Sequence, residues 1–294
     1  MYGSAGRGND PMKRLDRRAL FASGAAAALL AATGAGLAQT PRRGGTLRIA
    51  IPREDAFLAR LARAAVYDQL TEVAPDGVLR AELASAWRSD ETARHWKLNL
   101  RTDIPFHDGR MMTGADVIAS LEAHLKSGAL RLEGVKNLDL SSDGAVVIDL
   151  AESNPHLPYR LADTGLVIAP DGAVDAVLGD LNGTGLYQVD RAQEDRHFRA
   201  RRVAQNYRDE VAGWLDALDL IVIPDAQVRA EALRDGFVDV AALPTAEGLQ
   251  GRFQFYPSDQ EIALAAAEHV ALPSRISSRA PLDDHRIAER WWMV

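Results

Sequence analysis

The sequence predicts an α/β fold. Three observations carry it: short stretches that alternate apolar and polar residues, longer stretches with apolar residues at helical spacing, and Gly- or Pro-bearing turns between them. The clearest strand is Trp96-Lys97-Leu98-Asn99-Leu100-Arg101, in which Trp96, Leu98 and Leu100 point to a core and the rest to water. The clearest helix follows a turn at Phe106-His107-Asp108-Gly109. Thr113 caps it, and Asp116 three positions on makes a short capping box. Val117, Leu121 and Leu125 form its buried face, and Gly128 ends it.

The chain has 294 residues, 47% of them hydrophobic and 26% charged, which suits one large or two small soluble domains. Its formal charge of -7 argues against a nucleic-acid partner, because no face shows a Lys/Arg excess to pair with phosphates. It has no cysteine, which excludes disulfides, thiolate metal sites and a cysteine nucleophile.

In chain order, the first signal is an address. Lys13, Arg14, Arg17 and Arg18 form a basic stretch, Ala19 to Gly34 a weakly apolar run, and Gly36-Leu37-Ala38 a small-residue exit, so cleavage is expected after Ala38. Arg17-Arg18 followed by Leu20-Phe21 resembles a twin-arginine export signal. Thr46 to Ile51 alternates as a strand, and Asp55 to Leu70 carries Leu58, Leu61, Ala65 and Val66 at helical spacing. Pro75-Asp76-Gly77 is a turn, and Ala145 to Leu150 a strand. Asn154-Pro155 opens a loop or short helix through Leu161. Leu166 to Ala169 reads as a short apolar strand, and Gly183-Thr184-Gly185 as a tight turn. His197 to Val203 is basic and alternating, with Arg199, Arg201 and Arg202 on a solvated face, and Asp219 to Ile223 is a buried strand. Asp225 caps a helix through Arg234 that Gly236 stops, and Val238 to Leu243 returns as a strand. Gln260 to Ala267 and His269 to Leu272 are apolar runs, and Asp283 caps a final helix in which Ile287 and Trp291 share a face.

Several of these stretches stand in a familiar order. They are GGTLRIA, YDQLTEVAPDGVLRAELASAWRSDE, HWKLNLR and IPFHDGRMMTGADVIASL, then Asn182 to Tyr187 (against GTGPY), Asn206-Tyr207 (against NPNYW), Leu220 to Val240 (against IPDxxARxxALxxGExDI) and Pro281 to Ile287 (against PFDDxRVR). Together they resemble the extracytoplasmic solute-binding proteins of family 5, the peptide- and nickel-binding components of ABC importers. The resemblance runs from Gly44 to about Trp292. It departs at Leu186, where the family has Pro, and after the first strand, where the family's LDP segment is missing.

The resemblance implies a type II periplasmic-binding-protein-like α/β fold with a first lobe, its inserted subdomain, and a largely absent second lobe. It places a twin-arginine-type signal peptide at 1–38 and a partial family-5 domain at 39–294. Within the domain, 44–66 and 155–275 form the main lobe, 67–154 the inserted subdomain and 276–294 a stub of the second lobe. It implies an exported, periplasmic protein that captures a solute, favouring a peptide over nickel, and passes it to an ABC importer permease without catalysis. Asp163, Thr164, Gly165, Thr184, Gly185 and Tyr187 would lie near the ligand cleft. The alternative is a one-lobe interaction protein, or a gene fragment, without transport activity. Trp291 and Trp292 would then be an exposed apolar end able to drive self-association.

No catalytic residue, cofactor or metal is expected. His107-Asp108 lacks a third ligand at suitable spacing, and the other histidines are scattered. Gly183-Thr184-Gly185 lacks the Lys-Ser/Thr of a phosphate loop, and neither Ser23 nor Ser120 has a nucleophile-elbow context. Asp283-Asp284 reads as a helix cap rather than a pair of catalytic acids.

Overall fold

The computed structural model describes residues 43–54, 57–74, 77–128, 133–245, 249, 253–256, 263–270, 274–276, 283–287 and 292. The export-signal residues Arg17, Arg18 and Ala38 lie outside them, as do Pro75 and Asp76 of the expected turn and Trp291.

Strand β1 (Thr46–Ile51) is the centre of a seven-stranded sheet. It buries Leu47, Ile49 and Ile51 on one face and Ala50 on the other, as a parallel strand covered on both sides must. Its parallel neighbours are β10 (Ala217–Val222) and β11 (Val240–Leu243). Antiparallel strands extend the sheet on both flanks: β9 (His197–Arg202) and β8 (Tyr187–Gln193) beyond β10, then β13 (Ala263–Ala267) and β12 (Phe253–Tyr256) beyond β11. Helix α1 (Phe57–Val66) follows β1 and buries Leu58, Ala62, Ala65 and Val66 in the core that also holds Leu47, Ile49, Phe198 and Leu220. Helix α4 (Ala226–Arg234) follows β10 and buries Leu233 on the opposite face with Ala50 and Ala241. Asp225 caps α4 by accepting from the Gln227 and Val228 amides.

A second, antiparallel sheet has the order β4 (Ala84–Ser89), β5 (His95–Leu100), β7 (Val146–Leu150), β6 (Val135–Leu140). Trp96, Leu98, Val146 and Ile148 face helix α2 (Gly114–Lys126), which contributes Val117 and Leu121. The expected capping box is present, with Thr113 and Asp116 satisfying each other's backbone amides. Gly109 and Gly128 have φ of 88° and 77°, the left-handed turns for which glycine was expected. The hairpin β2 (Thr71–Val73) and β3 (Leu79–Ala81) follows α1 after four residues, and the short helix α3 (Leu157–Arg160) follows β7.

Three sequence expectations are corrected. Leu166–Ala169 is buried but joins no ladder. Helix side chains take its backbone groups instead: the Ala169 amide donates to Ser120 Oγ at 3.0 Å, and the Val167 carbonyl accepts from His124 Nε2 at 2.9 Å. Asp283–Ile287 forms a strand, β15, paired antiparallel with β14 (Ser274–Ile276), not a capped helix. Trp292 is not an exposed end: it is 4% exposed and belongs to the core around β1.

Candidate functional site

The two sheets meet where the turn Asn182–Gly185 lies against the end of α1. The Gly185 amide donates to the Val66 carbonyl at 2.8 Å. A Cβ at Gly183 would lie 2.2 Å from that carbonyl oxygen, and one at Gly185 2.6 Å, so the glycines are there for close approach. The Asn182 amide donates to the Tyr67 hydroxyl at 3.3 Å, and the Thr184 hydroxyl donates to Asp68 Oδ2 at 3.0 Å. Asn206 Nδ2 donates to the Thr184 carbonyl at 2.9 Å. Thr184 is 2% exposed, so both its side chain and its carbonyl are used internally. Tyr187 is fully buried with its hydroxyl donating to the Leu215 carbonyl, and burial pushes its phenol up to about 12.

From the side of the four-stranded sheet, the turn Phe106–Gly109 closes on the same segment. The His107 amide donates to the Gly183 carbonyl at 2.9 Å, and His107 Nε2 donates to the Gly185 carbonyl at 2.8 Å. The Asp108 amide donates to Asn182 Oδ1 at 3.3 Å, and Asn182 Nδ2 donates to Asp108 Oδ2 at 2.8 Å. Burial holds the His107 imidazole below its ordinary pKa, although the Gly185 carbonyl, Asp68 and Asp108 all favour the proton. Arg110 anchors the turn from behind. Its guanidinium lies over the Phe106 ring and donates to Asp116 Oδ1 at 3.0 Å and Asp171 Oδ2 at 2.7 Å.

The other sequence-predicted site residues form a separate loop. Asp163 Oδ1 accepts from the Gly165 amide at 2.9 Å. Gly165 is exposed, and Asp163 and Thr164 are half-buried. Asp68 links this loop to the turn, since its carbonyl accepts from the Ile168 amide, three residues downstream of Gly165, while its carboxylate takes Thr184. Sequence reasoning named Thr184 and Gly185 but missed Asp68, Asn182, His107 and Asn206 as their partners. It also missed a buried ion cluster beside them. Arg208 donates to Glu82 Oε1 and Glu72 Oε2, each at 2.7 Å, and Glu82 is 1% exposed. Arg208 lies two residues after Asn206, so one loop grips both the turn and the region of the β2–β3 hairpin. Asp68, between Tyr67 and Leu70 of the apolar face that Leu58, Leu61, Ala65 and Val66 begin, was the one visible signal. Of the expected basic face, Arg199 pairs with Asp190 and Asp219, Arg202 with Asp209, and Arg201 is exposed. Among the described residues no group of three or more His, Cys, Asp or Glu is placed to hold a metal ion.

Residues 78–287 match the profile of bacterial extracellular solute-binding proteins, family 5 Middle. The chain belongs to this family. Family-5 proteins are non-catalytic components of transporters. The family-5 chain is 23% identical over 203 residues to the probable D,D-dipeptide-binding periplasmic protein DdpA of Escherichia coli, covering 67% of this chain and 37% of the relative. It is 26% identical over 262 residues to a probable peptide ABC transporter periplasmic-binding protein of Sinorhizobium fredii, covering 78% and 49%. Among solved structures it resembles the binding protein AgaA of A. tumefacien R10 in complex with agropinic acid, with a TM-score of 0.63, 23% identity and coverage of 72% and 47%. It also resembles the oligopeptide-binding protein AppA of Bacillus subtilis in complex with a nonapeptide, with a TM-score of 0.60, 19% identity and coverage of 74% and 48%. The fold is therefore that of the periplasmic binding proteins, and the chain spans half or less of the length of each of these proteins.

Proposed function

We propose that this chain acts outside the cytoplasmic membrane as the solute-capturing component of an ABC-type importer. It would take up a peptide or other small solute and deliver it to a membrane permease without chemical change. The observation that carries this reading is the family match over residues 78–287, which runs through the four-stranded sheet, the turns at 106–109 and 182–185, and most of the seven-stranded sheet. A peptide is favoured because both curated relatives bear peptide-binding names. Nickel–histidine is the competing class, from the likeness to NikZ of Campylobacter jejuni in complex with Ni(L-His).

On this reading 1–38 is an export signal cut after Ala38, with Arg17 and Arg18 as its twin arginines. Segments 44–66 and 155–275 form the main lobe, 67–154 the inserted subdomain, and 276–294 leads toward a second lobe. The loop Asp163-Thr164-Gly165 supplies accessible groups at the cleft, and Thr184, Gly185 and Tyr187 form the floor that holds it. The buried hydroxyl of Thr184 and the close glycine packing support a floor rather than a contact surface. The test is thermal shift and calorimetry on the purified chain with di- to nonapeptides and with nickel–histidine. A saturable shift with one peptide class, weakened by Asp163→Ala, is expected. No response to either class would overturn the reading.

A further inference from the structure

The turn Asn182–Gly185 is held from three directions. The end of α1 holds it through Val66, Tyr67 and Asp68, and the loop after β9 through Asn206. The third grip belongs to the four-stranded-sheet side: four hydrogen bonds from His107 and Asp108, reaching 74 to 78 positions along the chain. Two of those four come from one residue, His107. Its imidazole has a single protonation state that fits. Nε2 must carry the hydrogen, because it faces the Gly185 carbonyl, so Nδ1 carries the lone pair. Nδ1 is buried and has no hydrogen-bond partner among the described residues.

We propose that His107 is a positioning residue whose neutral imidazole clasps the turn Asn182–Gly185 to the turn Phe106–Gly109, fixing the joint between the two sheets and releasing it when the ring is protonated. That the joint in turn sets solute affinity rests on the reading above; the clasp itself does not.

Protonation leaves the Nε2 bond in place but puts a second N–H at Nδ1, where nothing accepts it, together with a charge in a largely desolvated position. Two carboxylates face the ring and draw the proton toward it: Asp68 from the segment after α1, and Asp108 from its own turn. Asp108 is itself engaged by Asn182 and by the Arg110 amide, and the Arg110 guanidinium nearby adds positive charge. The turn Asn182–Gly185 contributes no titratable group. Burial outweighs the carboxylates, so the folded imidazole titrates below its ordinary 6.5. The clasp is at full strength above 6.5 and weakens progressively below it, because the opened ring takes up the proton before the closed one does.

The experiment is amide hydrogen exchange of the purified chain at pH 7.5 and 5.5, corrected for intrinsic rates, read at the His107 amide and across Asn182–Tyr187. The wild type should lose up to about tenfold of its protection there at pH 5.5. His107→Gln places an amide N–H near the Nε2 position and cannot titrate, so it should keep protection at both pH values. His107→Asn ends one bond short, near the Nδ1 position, and should lose it at both. Protection in the wild type that does not change with pH overturns the proposal, as does equal behaviour of the Gln and Asn variants. Solute titrations of the same proteins separate the two levels. A wild type that binds no solute at either pH, yet shows the exchange pattern, leaves the clasp standing and removes the importer reading.

Discussion

Arg208 bridges two carboxylates, as Arg110 and Arg199 also do, but in a less exposed cluster. It lies between Glu72 and Glu82, and the three side chains are 13%, 11% and 1% exposed. Replacing it with Ala removes the cation that two carboxylates share in a mostly dry site, so Arg208→Ala should cost about 3–5 kcal/mol in urea unfolding. Arg208→Lys supplies one point charge for two separated carboxylates and should fall between the two. A loss under about 1 kcal/mol for the Ala variant would mean that water already reaches the cluster. Gly185→Ala tests the neighbouring turn by sterics alone. The new Cβ would stand 2.6 Å from the Val66 carbonyl oxygen and 2.9 Å from that of Ala65, backbone atoms that cannot rotate away. A destabilisation of about 1–3 kcal/mol is expected in the same assay. At this scale the sequence was only partly readable. Gly183, Thr184 and Gly185 stood out as a turn. That their neighbours are Val66, Asp68 and His107, up to 119 positions away, is a consequence of strand order that no local pattern encodes.

Secondary-structure elements were legible where their determinants are local. Helices α2 and α4 start at the Asp- and Thr-bearing positions expected, because an N-cap is a bond between residues three apart. Thr113→Ala should therefore cost about 1 kcal/mol, and Asp116→Ala more. Asp116 also accepts from Arg110 and from the Asp171 amide, tying the first turn of α2 to the segment after Ala169. Chemical denaturation of both variants checks the order; a Thr113→Ala loss exceeding that of Asp116→Ala would show that the longer network contributes nothing. The elements that were misread depend on distant partners. Leu166–Ala169 has strand composition, but Ser120 and His124 on α2 reach its backbone before any strand does. Asp283-Asp284 has the chemistry of a cap, yet pairing with Ser274–Ile276 decides its conformation. Composition cannot distinguish an apolar segment held by side chains from one held by a ladder.

For the whole molecule, the shifted titrations nearly all pull stability in one direction as acid is added. His107 and His124 are both held below their ordinary 6.5 by burial. As the pH falls through 6.5 the unfolded chain takes up protons at these positions before the folded chain does, so stability is full above 6.5 and declines below it. Asp116 and Asp239 act lower on the scale. Burial alone would raise both, but hydrogen bonds from the Asp171 amide and Thr113 to Asp116, and from Arg48 to Asp239, more than offset it. Their folded values lie below 3.8, so the stability they confer is present above 3.8 and lost as the pH falls through the folded values. His95 opposes the trend, since its hydrogen bond to Asp149 raises it and its contribution disappears as pH rises; it is exposed and too well screened to reverse the profile. Urea unfolding followed by tryptophan fluorescence should therefore show a plateau near pH 7–8, a first decline beginning near 6.5 and a second below 3.8. The double variant His107→Gln, His124→Gln keeps an N–H for the Gly185 and Val167 carbonyls but cannot titrate, and it should remove the first decline while leaving the second. A wild-type profile flat from pH 8 down to 4 would show that neither histidine is desolvated in solution. A first decline that survives in the double variant would assign it to other groups and separate the acid response of the fold from the joint between its two sheets.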